Sequence, residues 1–353
     1  MTPALEREVD RLLALFRAAG ATRVAPEALQ PADRLLDLYG EDIRARAFTV
    51  RDGDAEFMLR PDFTLPVLEA HLASGAPRGT YSYAGPVWRR RAAGTLRARE
   101  FWQVGIERLG DRDAPRAEAE VFVQIRDALP AQGLRGAIGD MGLLTAAVDA
   151  LDLSPQRRAA LRRHIWRPRR FRRLLARFAA PVTPPAIATD ALREAVHAAG
   201  PQIGVRTRAD VIDRLRDLHA EAAEPPLSAA AVALVSDVLR LSGPARTVRA
   251  RLADLARGVA ALAPAAERLA ARLEALEAQG VDTASLPFDG AFSGTTLEYY
   301  DGFVFGFRAA DRLDLPVIAS GGRYDALTRA LGGDTPAIGA VIRPQALPAA
   351  VAP

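Results

Sequence analysis

The residues Glu100-Phe101-Trp102-Gln103-Val104-Gly105-Ile106-Glu107 alternate as a strand does. Trp102, Val104 and Ile106 fall on one face, and Phe101, Gln103, Gly105 and Glu107 on the other. On that second face a glutamine and a glutamate flank a residue without a side chain. The pattern predicts a polar cleft floored by bare backbone and suited to an ammonium group; a solvent-facing strand surface is the alternative. Upstream, Leu59-Arg60-Pro61-Asp62-Phe63-Thr64 ends a strand at a proline and can begin a helix. Asp62 or Thr64 is then a helix cap, or Asp62 is a second carboxylate for the same amino-group pocket.

Two arginine clusters carry the other candidate chemistry. Tyr83–Arg91 runs a strand into a loop containing Gly94, with Arg97 and Arg99 on the return strand. Arg89, Arg90, Arg91, Arg97 and Arg99 on one hairpin have the fork geometry to hold a phosphate or a carboxylate. The segment Arg157–Arg177 contains ten arginines, so the rest of the chain carries a net charge of about −6. Trp166, Phe171 and Phe178 lie among them, and RNA contact is one reading. A solvated helix pair, or a face for an acidic partner, is the preferred one. His71, His164, His197 and His219 show no metal-ligand spacing and no neighbouring nucleophile, and are read as structural.

Composition narrows the chemistry further. The 353 residues include no cysteine, which removes disulfides, thiolate nucleophiles and Cys-ligated metals. Lysine is absent too, so all 47 basic residues are arginine, and neither a Walker-type phosphate loop nor Schiff-base chemistry is available. Asparagine is also missing. That joint absence points to base composition as the origin of the arginine richness, which then says little about nucleic acid, in keeping with a net charge of only +4. Glu6, Glu8 and Asp10 are unlike an export signal, and no apolar run approaches the ~18 residues a bilayer requires. A soluble cytoplasmic protein is expected.

The elements that must position these residues are legible in outline. Val9, Leu12, Leu13 and Phe16 recur at helical spacing before Gly20. Residues 48–109 read as antiparallel sheet, punctuated by Arg51-Asp52-Gly53, Gly75, Gly79 and Gly85-Pro86. Ala-, Leu- and Arg-rich sequence cut by prolines follows, with Leu262, Leu269, Leu273 and Leu276 on one seam. Aromatic and β-branched residues return after Pro287. The predicted fold class is α+β: an antiparallel sheet flanked by helices, with a core in two parts (1–145 and 285–353) around a helical insertion (146–284). No internal repeat is evident.

Taken in order, Leu59–Thr64, Gly85–Glu107, Leu297–Tyr300, Gly321–Asp325 and Gly339 resemble the catalytic core of histidyl-tRNA synthetase, a class II aminoacyl-tRNA synthetase. Pro26 sits where that family's dimer-forming first motif has its proline. The resemblance spans roughly residues 5–145 and 285–347. It implies a histidine-binding set of Asp62, Thr64, Arg89, Gln103, Glu107, Tyr299 and Tyr300, in agreement with the cleft inferred from strand parity. It also implies losses. The arginine expected two residues before Leu297 is Thr295, followed by Thr296; the adenine-facing glutamate of the second motif is Arg91. The third motif's ATP-binding arginine falls near Ala346, with Arg343 three residues earlier. The sequence ends about where a synthetase core does, before any anticodon-binding domain.

With those retentions and losses the chain is similar to the regulatory-subunit family of ATP phosphoribosyltransferase. The resemblance implies a non-catalytic partner without a cofactor, forming a dimer and assembling with the short catalytic chain. It further implies activation of that chain and a part in histidine feedback in the first step of histidine biosynthesis. Histidine is the expected ligand, and membrane and nucleic acid are not expected partners. A truncated, adenylating synthetase-like enzyme is the alternative that Arg91 and Thr295 argue against.

Overall fold

The computed structural model describes residues 1–32, 47–91, 94, 98–181, 189–200, 207–291, 299–312 and 314–350. Helix α1 (Pro3–Ala18) opens the chain where the apolar spacing places it. Thr2 accepts the Leu5 N–H at 3.3 Å, a proline occupies the first turn, and Val9, Leu12, Leu13 and Phe16 are buried. Gly20 ends it in left-handed backbone, φ 86°, while the Ala21 amide reaches back to the Phe16 carbonyl at 3.0 Å.

Strands β1 (Thr22–Arg23), β2 (Leu29–Pro31), β3 (Thr49–Asp52) and β4 (Ala55–Leu59) lead to helix α2 (Thr64–Ser74) and the long hairpin of β5 (Gly79–Trp88) and β6 (Glu100–Leu109). Helix α3 (Ala114–Ala128), β7 (Leu134–Asp140) and α4 (Met141–Asp149) come next. A run of helices follows: α5 (Pro155–Arg163), α6 (Pro168–Ala179), α7 (Thr189–Ala198), α8 (Arg208–Ala223) and α9 (Ala229–Leu239). Then come β8 (Ser242–Pro244), α10 (Ala245–Gly258), α11 (Ala263–Ala278) and β9 (Pro287–Asp289). The chain continues through β10 (Phe303–Ala309), β11 (Ala319–Arg323), α12 (Asp325–Ala330) and β12 (Ala337–Ile342).

Nine strands form one sheet in the order β1-β5-β6-β12-β11-β10-β7-β9-β8, and β2-β4-β3 form a small antiparallel sheet. The centre, from β5 to β7, is antiparallel, as expected. The flanks differ from the expectation: β1 pairs with β5, and β7 with β9, in parallel. Neither pair is joined by a tight turn: β2, β3, β4 and α2 lie between β1 and β5, and helices α4 to α11 with β8 lie between β7 and β9, which lets the chain return in its original direction. One face of the sheet is covered by α3, whose Phe122 meets Phe305 and Phe307 at centroid distances of 5.3 and 5.4 Å. The opposite face carries the candidate site.

Two compact units are present, residues 1–146 with 239–353, and residues 147–238. The predicted helical insertion therefore extends too far: 239–284 packs with the sheet. β8 and β9 extend that sheet, and Leu262, Leu269, Leu273 and Leu276 are buried. A buried ionic network ties α11 to the centre. Arg272 donates to Glu118 on α3 at 2.5 Å and to Asp140 on β7 at 2.6 Å, and Glu118 also accepts from Arg323 on β11 at 2.5 Å. The two guanidinium groups hold Glu118 below the usual carboxylate range despite its burial.

Within the second unit the basic cluster is partly a packing device. The buried Arg157 guanidinium donates to the carbonyls of Pro225 and Glu221, both at 2.7 Å, pairs with Glu224 at 3.1 Å and lies over the Phe178 ring. Arg177 pairs with Glu221 at 2.5 Å, and Arg162 pairs with Asp149. Helix α6 buries Phe171, Leu175 and Phe178 and leaves Arg169, Arg170, Arg172 and Arg173 exposed. Among the described residues no helix is long and apolar enough to cross a membrane.

Candidate functional site

Residues paired across antiparallel strands point to the same side of a sheet, so the register of β5, β6 and β12 assembles the site. Tyr83 stands opposite Gly105 and Gly105 opposite Val341; Glu107 stands opposite Gly339, and Gln103 opposite Gly85. The predicted floor of bare backbone is present, but it is covered. A Cβ built on Gly105 falls 2.4 Å from the Tyr83 hydroxyl, and one built on Gly339 falls 1.5 Å from Glu107 Oε2. The glycines exist so that Tyr83 and Glu107 can lie flat across the strands.

Glu107 is the hub. Its Oε1 accepts from the Thr64 hydroxyl at 2.8 Å and the Tyr83 hydroxyl at 3.0 Å, and its Oε2 from the Tyr324 hydroxyl at 2.6 Å. Thr64 in turn accepts from the Tyr299 hydroxyl at 3.0 Å. Burial raises Glu107 from an ordinary 4.5 to about 7, against the pull of those three hydroxyl donors, with Asp62 adding repulsion. Burial, reinforced by the Glu107 charge, keeps Tyr83 and Tyr324 protonated.

At the start of α2 Phe63 holds the N-cap position without a side-chain cap bond, and Asp62 precedes it. Its Oδ1 accepts the Thr64 N–H at 3.2 Å at the start of α2, while Oδ2 is buried and has no hydrogen-bond partner. The amide nitrogen of Gln103 is likewise buried and unsatisfied. Burial raises Asp62, with the Arg89 charge and the N–H groups of Thr64 and Leu65 pulling the other way. Asp62, Thr64, Gln103, Glu107, Tyr299 and Tyr300 thus surround one cavity, joined by Tyr83, Ala340 and Val341. It leaves about 10 Å³ for the centre of a water-sized group. That is room for one water or one ammonium group and not for an imidazole ring, so a larger ligand must displace side chains.

Arg89 stands beside this cavity rather than in its wall. Its Nε donates to the Pro61 carbonyl at 3.0 Å, and its guanidinium and that of Arg91 lie 5.5 and 5.9 Å from the centre of the Phe101 ring. Ala346 lies in a short turn, Pro344–Ala346, and Arg343 directly follows β12. Thr295, Thr296 and Leu297, like Arg97 of the hairpin, lie outside the described residues. Sequence reasoning missed Tyr83 and Tyr324 as members of the site. Tyr324 was within the Gly321–Asp325 segment, but the contact that matters crosses from β11 to β6, which no local pattern encodes. No group of three or more His, Asp and Glu among the described residues is arranged to hold a metal ion.

The histidyl-tRNA synthetase family model matches residues 2–224 and 209–347. A protein from Mesorhizobium japonicum named ATP phosphoribosyltransferase regulatory subunit is 35% identical over 357 residues, covering 94% of this chain and 93% of its own. One of the same name from Allorhizobium ampelinum is 33% identical over 356 residues, covering 93% of each. The chain belongs to the ATP phosphoribosyltransferase regulatory subunit family. Its class II synthetase fold agrees with two solved structures. One, described as an ATP phosphoribosyltransferase regulatory subunit/histidyl-tRNA synthetase from Bacillus halodurans, has a TM-score of 0.68 and 21% identity, covering 99% of this chain and 79% of that one. The other, histidyl-tRNA synthetase from Nostoc, has a TM-score of 0.63 and 17% identity, covering 98% and 70%.

Proposed function

We propose that this chain is a non-catalytic, cytoplasmic regulatory subunit of ATP phosphoribosyltransferase. In this reading it dimerises through the region around Pro26, assembles with the short catalytic chain, raises that chain's turnover and takes part in histidine feedback. What supports the reading is an open carboxylate oxygen in the cavity, suited to an amino group, together with a changed residue where the resemblance expects the nucleotide. The free oxygen of Asp62 is the acceptor such a group needs, whereas Arg91 replaces the acidic residue that would meet an adenine.

Adenylation develops negative charge on the α-phosphate, and catalysts of that step stabilise it with groups already aimed at that position; removing one typically costs about 3–4 kcal/mol. An arginine in place of an adenine-facing carboxylate cannot accept from the exocyclic amine. Asp62, Thr64, Arg89, Gln103, Glu107, Tyr299 and Tyr300 are the residues proposed to meet histidine, with Asp62 at its ammonium end. Feedback requires in addition that histidine bind two assembly states unequally.

The experiment is reconstitution. Mixing the chain with the short transferase is expected to yield a complex by size exclusion and an increased rate of phosphoribosyl-ATP formation. Unchanged rate and no complex reject the assignment. Histidine-dependent exchange of pyrophosphate into ATP at synthetase-like rates would instead establish an adenylating enzyme.

A further inference from the structure

Arg343 is a cation without a carboxylate. Among the described residues no acidic side chain pairs with it, and its guanidinium donates only to the Val317 carbonyl, at 2.8 Å. Its backbone N–H donates a hydrogen bond to the Ile318 carbonyl at 2.8 Å. The strand register shows where it points. Gly339 pairs with Glu107 and Val341 with Gly105, and continuing that alternation one residue past the end of β12 puts Arg343 level with Gln103 and on the site face. Arg89 reaches the same face from β5, whose Gly85 pairs with Gln103 and whose end is tied by the Arg89 N–H to the Arg99 carbonyl at 2.8 Å.

Burial pushes Arg343 down to about 10, and the neighbouring charge of Arg89, and less that of Arg91, acts in the same direction; Tyr300 and Tyr299 oppose it. Arg343 is thus an electrostatic neighbour of Arg89 and Arg91, and of Tyr299 and Tyr300, which line the cavity together with Asp62 and Glu107. Arg343 itself is half-buried, and an anion reaching it would gain a charge-assisted hydrogen bond.

We propose that Arg343 binds the carboxylate of an α-amino acid whose ammonium group sits against the open oxygen of Asp62. The proposal rests on the reading of the cavity as an amino-acid seat and adds the residue that recognises the other end of the ligand. A zwitterion satisfies both sides of the site at once. A free phosphate would gain the arginines but meet the carboxylates of Asp62 and Glu107, which repel it. Position 343 thus selects for amino acids over amines of the same side chain.

The test is calorimetry on the full chain with three probes: L-histidine, histidinol, which keeps the ammonium and imidazole and replaces the carboxylate by an alcohol, and inorganic phosphate. Wild-type protein is expected to bind histidine at least about tenfold more tightly than histidinol, the factor that corresponds to one charge-assisted hydrogen bond. Arg343→Gln is expected to bring the two affinities within about threefold of each other by weakening histidine alone, and Arg343→Lys to restore part of the difference. Equal affinities of wild type for histidine and histidinol overturn the proposal without requiring any variant to fold. An unchanged ratio in a folded Arg343→Gln protein overturns it too, as does phosphate binding that depends on Arg343 while histidine binding does not. Failure of the wild type to bind either organic probe sinks the seat itself. That result differs from loss of the Arg343 assignment alone, in which binding persists but discrimination does not follow position 343.

Discussion

Glu107 occupies the space in which residue 339 would carry its side chain: a Cβ on Gly339 lies 1.5 Å from Glu107 Oε2. The two residues are cross-strand partners on β6 and β12. Gly339→Ala must therefore expel the carboxylate from its three hydroxyl donors. We expect overpacking to lower stability by about 1–3 kcal/mol and histidine binding to be lost, read by urea unfolding and calorimetry on the same preparation. An alanine variant with unchanged stability would mean that the carboxylate does not lie across the glycine.

Glu107→Gln and Asp62→Asn each keep the size of the side chain and remove its charge. Each is expected to weaken histidine binding by about 1.5–3 kcal/mol, the worth of a hydrogen bond to a charged group. Calorimetry is the readout, and equal affinity in both variants would detach the cavity from amino-acid binding.

The pH dependence has a definite sign. Glu107 titrates near 7 in the folded chain against an ordinary 4.5, so its stabilising contribution is complete below about 4.5 and is lost as pH rises through 7. The unliganded chain should become less stable across that window, by on the order of 3 kcal/mol from this group. Asp301, raised to about 6 by burial and by Asp325, adds a smaller loss in the same direction. Binding of an ammonium ligand favours the ionised carboxylate, and affinity should rise over the same interval. Denaturant titrations between pH 5 and 8 on wild type and Glu107→Gln check this. The imidazole's own titration is common to both proteins, and the slope that disappears in the variant belongs to Glu107.

Arg272→Leu leaves Glu118 with only Arg323 and strips Asp140 of its guanidinium partner inside the core. Breaking a buried pair from one side typically costs about 3–5 kcal/mol, measurable by urea unfolding. Amide exchange should accelerate in α3 and α11 together, since one guanidinium serves both. Faster exchange in α11 alone would show that the network does not couple them.

The basic cluster divides in the same way. Replacing Arg169, Arg170, Arg172 and Arg173 by serine is expected to shift stability by less than about 0.5 kcal/mol per residue, as for exposed surface positions. Arg157→Ala removes a buried cation and its carbonyl contacts and should cost several times more. Thermal unfolding of the two variants separates these outcomes.

Where a property is local, the residues announced it. The 3.6-residue spacing of Val9, Leu12, Leu13 and Phe16 is the buried stripe of α1, and the two-residue period from Phe101 to Glu107 put Gln103, Gly105 and Glu107 on the face that lines the cavity. What escaped was whatever depends on partners distant in the chain. The filling of the Gly105 gap by Tyr83 follows from a hairpin register, and the role of Tyr324 from a contact 217 positions away. The boundary at 238 rather than 284 escaped for a similar reason. Ala, Leu and Arg make the same helices whether these pack among themselves or against a sheet; Arg272 finds Glu118 and Asp140 only once the chain has folded back.

Asp62 faces two ways, one oxygen holding the first turn of α2 and the other open toward the cavity. A ligand that arrives at the open oxygen draws on the same carboxylate that steadies the helix. The entry turn of α2 is consequently the first stretch of main chain to feel occupancy, and its amides would register a bound amino acid before any more distant surface does.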